Sequence, residues 1–290
     1  MDPILVEVMR GDLTEARHRV HAVAVRGGDV VVSAGDPMLV THFRSAAKPL
    51  QAVPVVRARP DLDEREIAIA CASHLARPEQ LAAVRSLLAK ADATEDDLEL
   101  GPEPTKLEHN CSGKHAGFIA LCKAEGWPVE GYRLPGHACQ RMILDEISVA
   151  AMVDPDGIPT GVDGCGVATF ALPLARMALA FSRLASSDNA AKIVQAMRAH
   201  PDLIRGPGAP DTELMRAQPG WIAKVGAEGL LCAASPDGLG VALKIEDGSG
   251  RAVRSGLAAF LRRLGLEPGN LGLVTVENSL GEPVGELRAV

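Results

Sequence analysis

Aromatic side chains are scarce: Phe, Trp and Tyr together make up 3% of the chain. Base stacking needs such rings, and no basic stripe compensates for them in a chain of formal charge −7. Nucleic acid is therefore excluded as a partner. No uncharged apolar run approaches the length of a bilayer span, so no membrane association is expected. Met1 to Val8 has neither a cationic leader nor a long apolar stretch with a cleavage site, which reads as a cytoplasmic protein without a signal peptide. C-x-x-C pairs are also missing. The six cysteines, at 71, 111, 122, 139, 165 and 232, are expected as free thiols in a reducing compartment, with neither a disulfide framework nor a zinc knuckle.

What is present is a chain of 290 residues, 47% hydrophobic and without internal repeats, long enough to bury a substantial core. Segments 3–9, 20–26 and 28–34 are rich in Val and Ile and are separated by turn residues, which predicts strands and a hairpin. Between them and the C-terminal part the pattern is mostly helical. Apolar residues at three and four spacing predict helices over 78–93, 113–125, 137–152, 170–184 and 189–200. Strand character returns at 229–234 and 239–245 around Ser235-Pro236-Asp237-Gly238, followed by a helix at 252–264 and a last strand at 271–276. The expected fold class is α+β: an antiparallel sheet drawn from both chain ends with an inserted helical region. We expect one domain over 1–290, its sheet portion at about 1–40 and 220–290 and its helical portion at about 41–219.

Chemistry enters at Phe43-Arg44-Ser45-Ala46-Ala47-Lys48-Pro49. If Ser45 begins a helix, Lys48 lies three residues on along the same face, and its amine can reach the serine oxygen. A buried lysine loses its proton readily because apolar surroundings disfavour the ammonium, so it can serve as base to the hydroxyl. An isolated S-x-x-K more commonly marks a helix cap with a solvated lysine. Two further segments raise the catalytic reading. Ser73 follows the apolar run 67–72, where an element ends, and Lys224 opens the strand-like segment Ile222-Ala223-Lys224-Val225-Gly226. Each has a bland reading too, as a loop hydroxyl and as a strand-edge lysine.

Two polar or glycine-rich loops complete the set. His109 to Phe118 is densely polar before a helix but lacks the spacing of a phosphate loop, and 161–167 reads Gly-Val-Asp-Gly-Cys-Gly-Val. Cys111 and Cys165, one in each, could bind Zn2+ as thiolates if nitrogen donors completed a tetrahedral set. By residue type His109 or His115 is the preferred donor, because a lysine must first lose its proton. Simple burial is the commoner fate of such cysteines.

Taken in order, FRSAAKPLQ (43–51), ASH (72–74), HNCSGKHAGF (109–118), GVDGCGV (161–167), KVGAEG (224–229) and ALKIEDG (242–248) make the chain resemble the Rhizobium etli-type L-asparaginases, the L-asparaginase II family. The resemblance implies a serine β-lactamase/glutaminase-like fold, a homodimer, and hydrolysis of L-asparagine to L-aspartate and ammonia. It implies two neighbouring Ser-Lys pairs, Ser45 with Lys48 and Ser73 with Lys224, with Lys244 as an alternative second lysine. It further implies Cys111, Lys114 and Cys165 as zinc ligands.

An amino-acid substrate brings an α-carboxylate and an α-ammonium, for which Arg44 and His74, and Asp163 or Glu246, are the candidate partners. Ser45 would attack the side-chain amide and form an aspartyl ester that water hydrolyses. A glutaminase or other serine amidase would use the same residues on a longer substrate. A metalloamidase would instead use zinc-bound water, and a noncatalytic sensor would bind without turnover.

Overall fold

A computed structural model describes residues 1–290. The chain opens with strands β1 (Ile4–Arg10), β2 (Leu13–Arg26) and β3 (Asp29–Ala34), each antiparallel to the one before. After the short β4 (Val40–His42) and a tight 3-10 turn over Arg44–Ala47, the helical region begins. It comprises α1 (Lys48–Ala58), α2 (Glu64–Ala70), α3 (Pro78–Lys90), α4 (Ser112–Glu125) and α5 (Ala138–Ala151). Strands β5 (Thr160–Val162) and β6 (Ala168–Pro173) then join β4 in a small second sheet. Helices α6 (Leu174–Ser186), α7 (Ala191–Ala199), α8 (Pro201–Ile204) and α9 (Pro210–Ala217) lead back to the main sheet. There follow β7 (Ile222–Gly226), β8 (Leu230–Ala234), β9 (Gly240–Ile245), α10 (Val253–Arg263), β10 (Val274–Glu277) and β11 (Pro283–Ala289).

The main sheet runs β10-β11-β1-β2-β9-β8-β7, with β3 also on β2, so both chain ends meet at its centre. The register Val20↔Ile245 to Val25↔Gly240 joins the N-terminal β2 to the C-terminal β9. Every residue of β8 and β9 is buried, as expected of strands covered on both faces. Helix α6 packs on β2, β8 and β9, while α10 packs on β1, β9 and β11. The fold is α+β, an antiparallel sheet from both chain ends with an inserted helical region.

Local signals explain the elements that carry the site. Asp63 accepts from the amides of Arg65 and Glu66 at 2.9 Å, and Glu66 returns the bond to the Asp63 amide at 2.8 Å. This reciprocal cap fixes the start of α2, whose exit then delivers Ser73. Gly113 lets α4 lie against that exit: a Cβ there would stand 2.2 Å from the Ile69 carbonyl oxygen. Hence α4, with Cys111 and Lys114 at its beginning, is seated directly on the element that presents Ser73.

Three expectations change in detail. The helix predicted from Phe170 begins only at Leu174, because 168–173 is β6, paired with β4 and β5. Its first five residues are all buried, and an apolar run without alternation does not distinguish strand from helix. β2 starts at Leu13, seven residues before the apolar stretch, since its charged first half pairs with β1 beyond the core. A final strand, β11, lies after the last predicted one.

Candidate active site

Ser45 does not begin the α-helix. It sits in the 3-10 turn, and Lys48 is the first residue of α1, with Pro49 behind it where a missing amide costs least. Arg44 enters the turn at φ +49, a left-handed conformation uncommon for a side chain of this size. Two contacts hold it there: its amide donates to Thr169 Oγ1 at 3.2 Å and its Nε to Asp163 Oδ1 at 2.6 Å. The turn bearing Ser45 is thereby tied to the loop bearing Cys165.

Ser45 and Ser73 line one cavity of about 390 Å³, with Asn110, Arg205, Gly226 and Ala227 among the other walls. Gly226 permits the approach of β7, because a Cβ at that position would meet the Phe43 carbonyl oxygen at 3.2 Å and Leu230 at 3.1 Å. A larger open depression of about 690 Å³ lies around Ser186, Gln195 and Arg198, but no hydroxyl there has a basic partner.

Lys48 is fully buried, and its Nζ donates to the Ala72 carbonyl at 2.5 Å and to Ser73 Oγ at 2.9 Å. The hydroxyl it engages is thus Ser73, whereas the sequence spacing suggests Ser45. Burial is the main force lowering the Lys48 pKa, aided by the neighbouring Lys114 ammonium. Lys224 is equally buried on β7. Its Nζ donates to the Val225 carbonyl at 2.8 Å and stands 3.7 Å from Asp211 Oδ2. Burial brings its pKa down to about 7, outweighing the Asp211 carboxylate. Asp211 is anchored in turn by the Val225 amide at 3.0 Å. Lys244 lies elsewhere, on β9, facing a separate cavity of about 350 Å³ with Glu228, Glu246 and Asp247. Of the two lysines the sequence leaves open, Lys224 is near enough to feel the charge of Lys48 and Lys244 is not.

None of the four candidate substrate residues, Arg44, His74, Asp163 and Glu246, lines the serine cavity. Asp163 holds Arg44, so each satisfies the other's charge. His74 is buried behind Ser73. Its Nδ1 accepts from the Ala76 amide at 3.1 Å, which leaves Nε2–H to donate to Ser112 Oγ at 2.8 Å. Burial lowers its pKa to about 4, so it is a neutral ring. Glu246 pairs with Arg19 and His21 at 3.0 Å in the cavity that Lys244 faces. Arg205 is a cavity residue that no sequence signal singles out. It lines the serine cavity and donates to the Ser73 carbonyl at 3.1 Å. A lone arginine at the end of a short helix carries no motif by which it could have been found.

Cys111, Lys114 and Cys165 converge. All three are buried, and Lys114 Nζ is 3.0 Å from Cys165 Sγ. The contact between the thiols pushes Cys111 well down and Cys165 up. Burial disfavours the Lys114 ammonium, yet Cys165 and Cys111 together raise its pKa. His115 does not join them, its Nδ1 being on Tyr132 at 2.6 Å, whereas His109 stays beside Cys111: its Nδ1 accepts from the Cys111 amide at 3.0 Å and its ring also helps to draw the Cys111 thiol down. No cluster of three His, Cys, Asp or Glu side chains suited to a metal occurs in the chain. Two soft sulfur donors with an adjacent amine nitrogen do fit zinc, provided that Lys114 gives up its proton.

The profile of the family described as L-asparaginase II matches residues 6–289. No curated protein sequence matches the chain. Among solved structures, Mglu in its native form is similar with a TM-score of 0.51 and 14% identity, over 87% of this chain and 66% of that one. A β-lactamase from Mycobacterium bovis aligns with a TM-score of 0.48 and 14% identity, over 85% of this chain and 95% of that one. The octameric penicillin-binding protein homologue from Pyrococcus abyssi aligns at 0.39 and 13% identity, over 86% and 74%.

Proposed function

The chain belongs to the L-asparaginase II family, and from that premise we propose that it hydrolyses L-asparagine to L-aspartate and ammonia with Ser45 as nucleophile. The observation that carries the mechanism is the placement of Ser45 and Ser73 on one cavity with a buried lysine bonded to the second.

A neutral amine has two N–H donors and one lone pair. At Lys48 the donors are spent on the Ala72 carbonyl and Ser73 Oγ, so the lone pair is the group left to take the Ser45 proton. The Ser45 oxygen then bonds to the side-chain carbonyl carbon of the substrate. Ser73, accepting from Lys48, still has its own proton to donate, and it passes that proton to the departing amide nitrogen while drawing another from Lys48. The carbon–nitrogen bond breaks, ammonia leaves, and water hydrolyses the aspartyl ester by the reverse relay. Lys224, held by Asp211, sets the charge around this pair. Backbone amides of Ser45 and of the β7 segment are our candidates for the oxyanion, each such donor being worth about 3 kcal/mol in related sites.

We also propose that Cys111, Lys114 and Cys165 hold one zinc ion. When bound there, zinc would supply a fixed positive charge and clamp the two loops that flank the Ser45 turn. A second copy of the chain is a further part of the proposal. Val149 and Met152, at the end of α5, are exposed apolar residues that such a copy would cover. No helix is long and apolar enough to cross a membrane. The test of the reaction is ammonia release from L-asparagine and L-glutamine, each with and without a chelator. Release from L-asparagine at the higher kcat/KM supports the reading, and equal or reversed preference removes it.

A further inference from the structure

We infer that Arg205 is the anchor for the substrate's α-carboxylate, and that the cavity selects for a carboxylate more strictly than for an amine. The inference rests on the amidase reading of the same site. An amide carried by an amino acid has one anionic group that must be matched, because a desolvated carboxylate without a cation is costly. Of the residues lining the serine cavity, Arg205 is the only one with an ionisable side chain. The other nearby basic groups are committed: Arg44 to Asp163, Lys48 to Ser73 and Ala72, Lys224 to Val225 and Asp211. Arg205 has no carboxylate partner anywhere in the chain. Its one hydrogen bond, from Nη1 to the Ser73 carbonyl, leaves most of its donors free.

Its position is built. The Ser73 amide donates to the Ile204 carbonyl at 2.9 Å, so the residue before Arg205 is pinned to Ser73 by backbone as well. Gln80, fully buried, donates to the carbonyls of Arg205 at 2.8 Å and Asp202 at 2.9 Å. Its own oxygen accepts from the amides of Leu75 and Arg77, at 2.9 and 3.1 Å. One amide side chain therefore locks the segment carrying Arg205 to the segment carrying Ser73, and the distance between the guanidinium and the reacting hydroxyls is set by a rigid frame. A planar fork in such a frame suits bidentate capture of a carboxylate. No carboxylate lines the cavity to receive an ammonium, which meets only neutral acceptors such as Asn110 and backbone carbonyls.

Three β-amides separate the contributions: L-asparagine, succinamate, which lacks the α-amine, and 3-aminopropanamide, which lacks the α-carboxylate. The wild-type order of kcat/KM is expected to be L-asparagine, then succinamate, then 3-aminopropanamide. Arg205→Gln keeps a donor for the Ser73 carbonyl but removes the charge. It should raise KM for L-asparagine and succinamate about 10- to 100-fold and leave 3-aminopropanamide within about threefold. Equal loss on all three amides would mark Arg205 as a support of Ser73 and overturn the assignment, as would a wild-type preference for 3-aminopropanamide over succinamate. Binding of L-aspartate by calorimetry stands apart from turnover. If the wild type releases no ammonia, the functional reading fails, while a tenfold or greater loss of L-aspartate affinity in Arg205→Gln still supports the anchor and unchanged affinity refutes it. Should Arg205→Gln fail to fold, Arg205→Lys takes its place, with weaker L-aspartate binding expected and wild-type binding contradicting the claim.

Discussion

Replacing Lys48 by methionine should abolish turnover while leaving the protein folded, and the structure gives a size for both effects. The side chain is fully buried and makes two hydrogen bonds, to the Ala72 carbonyl and to Ser73 Oγ. Methionine fills a similar volume without a polar head. It leaves the Ala72 carbonyl unpartnered, at a cost of about 1–3 kcal/mol, while the Ser73 hydroxyl can rotate to another acceptor. Removing a buried amine also removes its desolvation penalty, so the net loss should not exceed about 2 kcal/mol, measurable by urea unfolding. The catalytic loss is of another order, because a general base contributes about 10²- to 10⁴-fold. Lys48→Arg sharpens the test. Guanidinium can still donate to both oxygens but cannot surrender a proton at working pH, so it should be as inactive as the methionine variant. The assay is ammonia release from L-asparagine by each purified variant after a fold check by circular dichroism. A folded Lys48→Met or Lys48→Arg protein retaining more than about one-tenth of wild-type kcat would refute the assignment of Lys48 as base.

Lys224 should impose a pH dependence on stability. Its pKa is depressed from 10.5 to about 7 in the folded state, so between those values the unfolded chain holds a proton that the folded chain lacks. Stability therefore rises with pH across this window and is lost as pH falls toward 7, by several kcal/mol at most. Lys224→Met should show a smaller gain than wild type when urea unfolding at pH 7 and pH 9.5 is compared, and an identical gain would contradict the depressed pKa. Gly113→Ala, whose added carbon would clash with the Ile69 carbonyl, should cost about 1–3 kcal/mol and lower activity together with stability, since it parts α4 from the exit of α2. Protein purified without added metal should carry one zinc per chain by elemental analysis, and Cys165→Ala should carry none; undiminished zinc in that variant would remove the site. L-asparagine should be favoured over L-glutamine by a higher kcat as well as a lower KM, because one extra methylene displaces the reacting carbon by more than about 1 Å from Ser45 once the carboxylate is held.

Much of the molecule is legible in its sequence wherever local chemistry and global position agree. Helices α3, α4, α5 and α10 follow their apolar spacing closely, and β8 and β9 flank the Ser-Pro-Asp-Gly turn as expected. The run that forms β6 reads as helix because both its faces are covered, and burial on two sides erases the alternation that marks a strand. In β11 Pro283, Gly285 and two charged residues obscure a strand that is fixed mainly by pairing with β1 and β10. Ser45, Lys48 and Ser73 stand out through motif and spacing, and the fold places all three at the serine cavity or against it. Which hydroxyl Lys48 engages is a matter of tertiary approach. The exit of α2 lies across the first turn of α1, and no spacing in one segment reports that contact. The choice between Lys224 and Lys244 depends likewise on strand placement, β7 being the edge that reaches Phe43. Arg205 was hidden for the same reason, since its value comes from what fails to neutralise it.

The central claim is that Ser45 is the nucleophile of an asparagine amidohydrolase. The most direct measurement is ammonia released from L-asparagine by the wild-type protein beside a folded Ser45→Ala variant. Release by the wild type in step with L-aspartate, and a rate at least about 10³-fold lower in the variant, is the expected result. No release by the wild type, or comparable release by both, would contradict it.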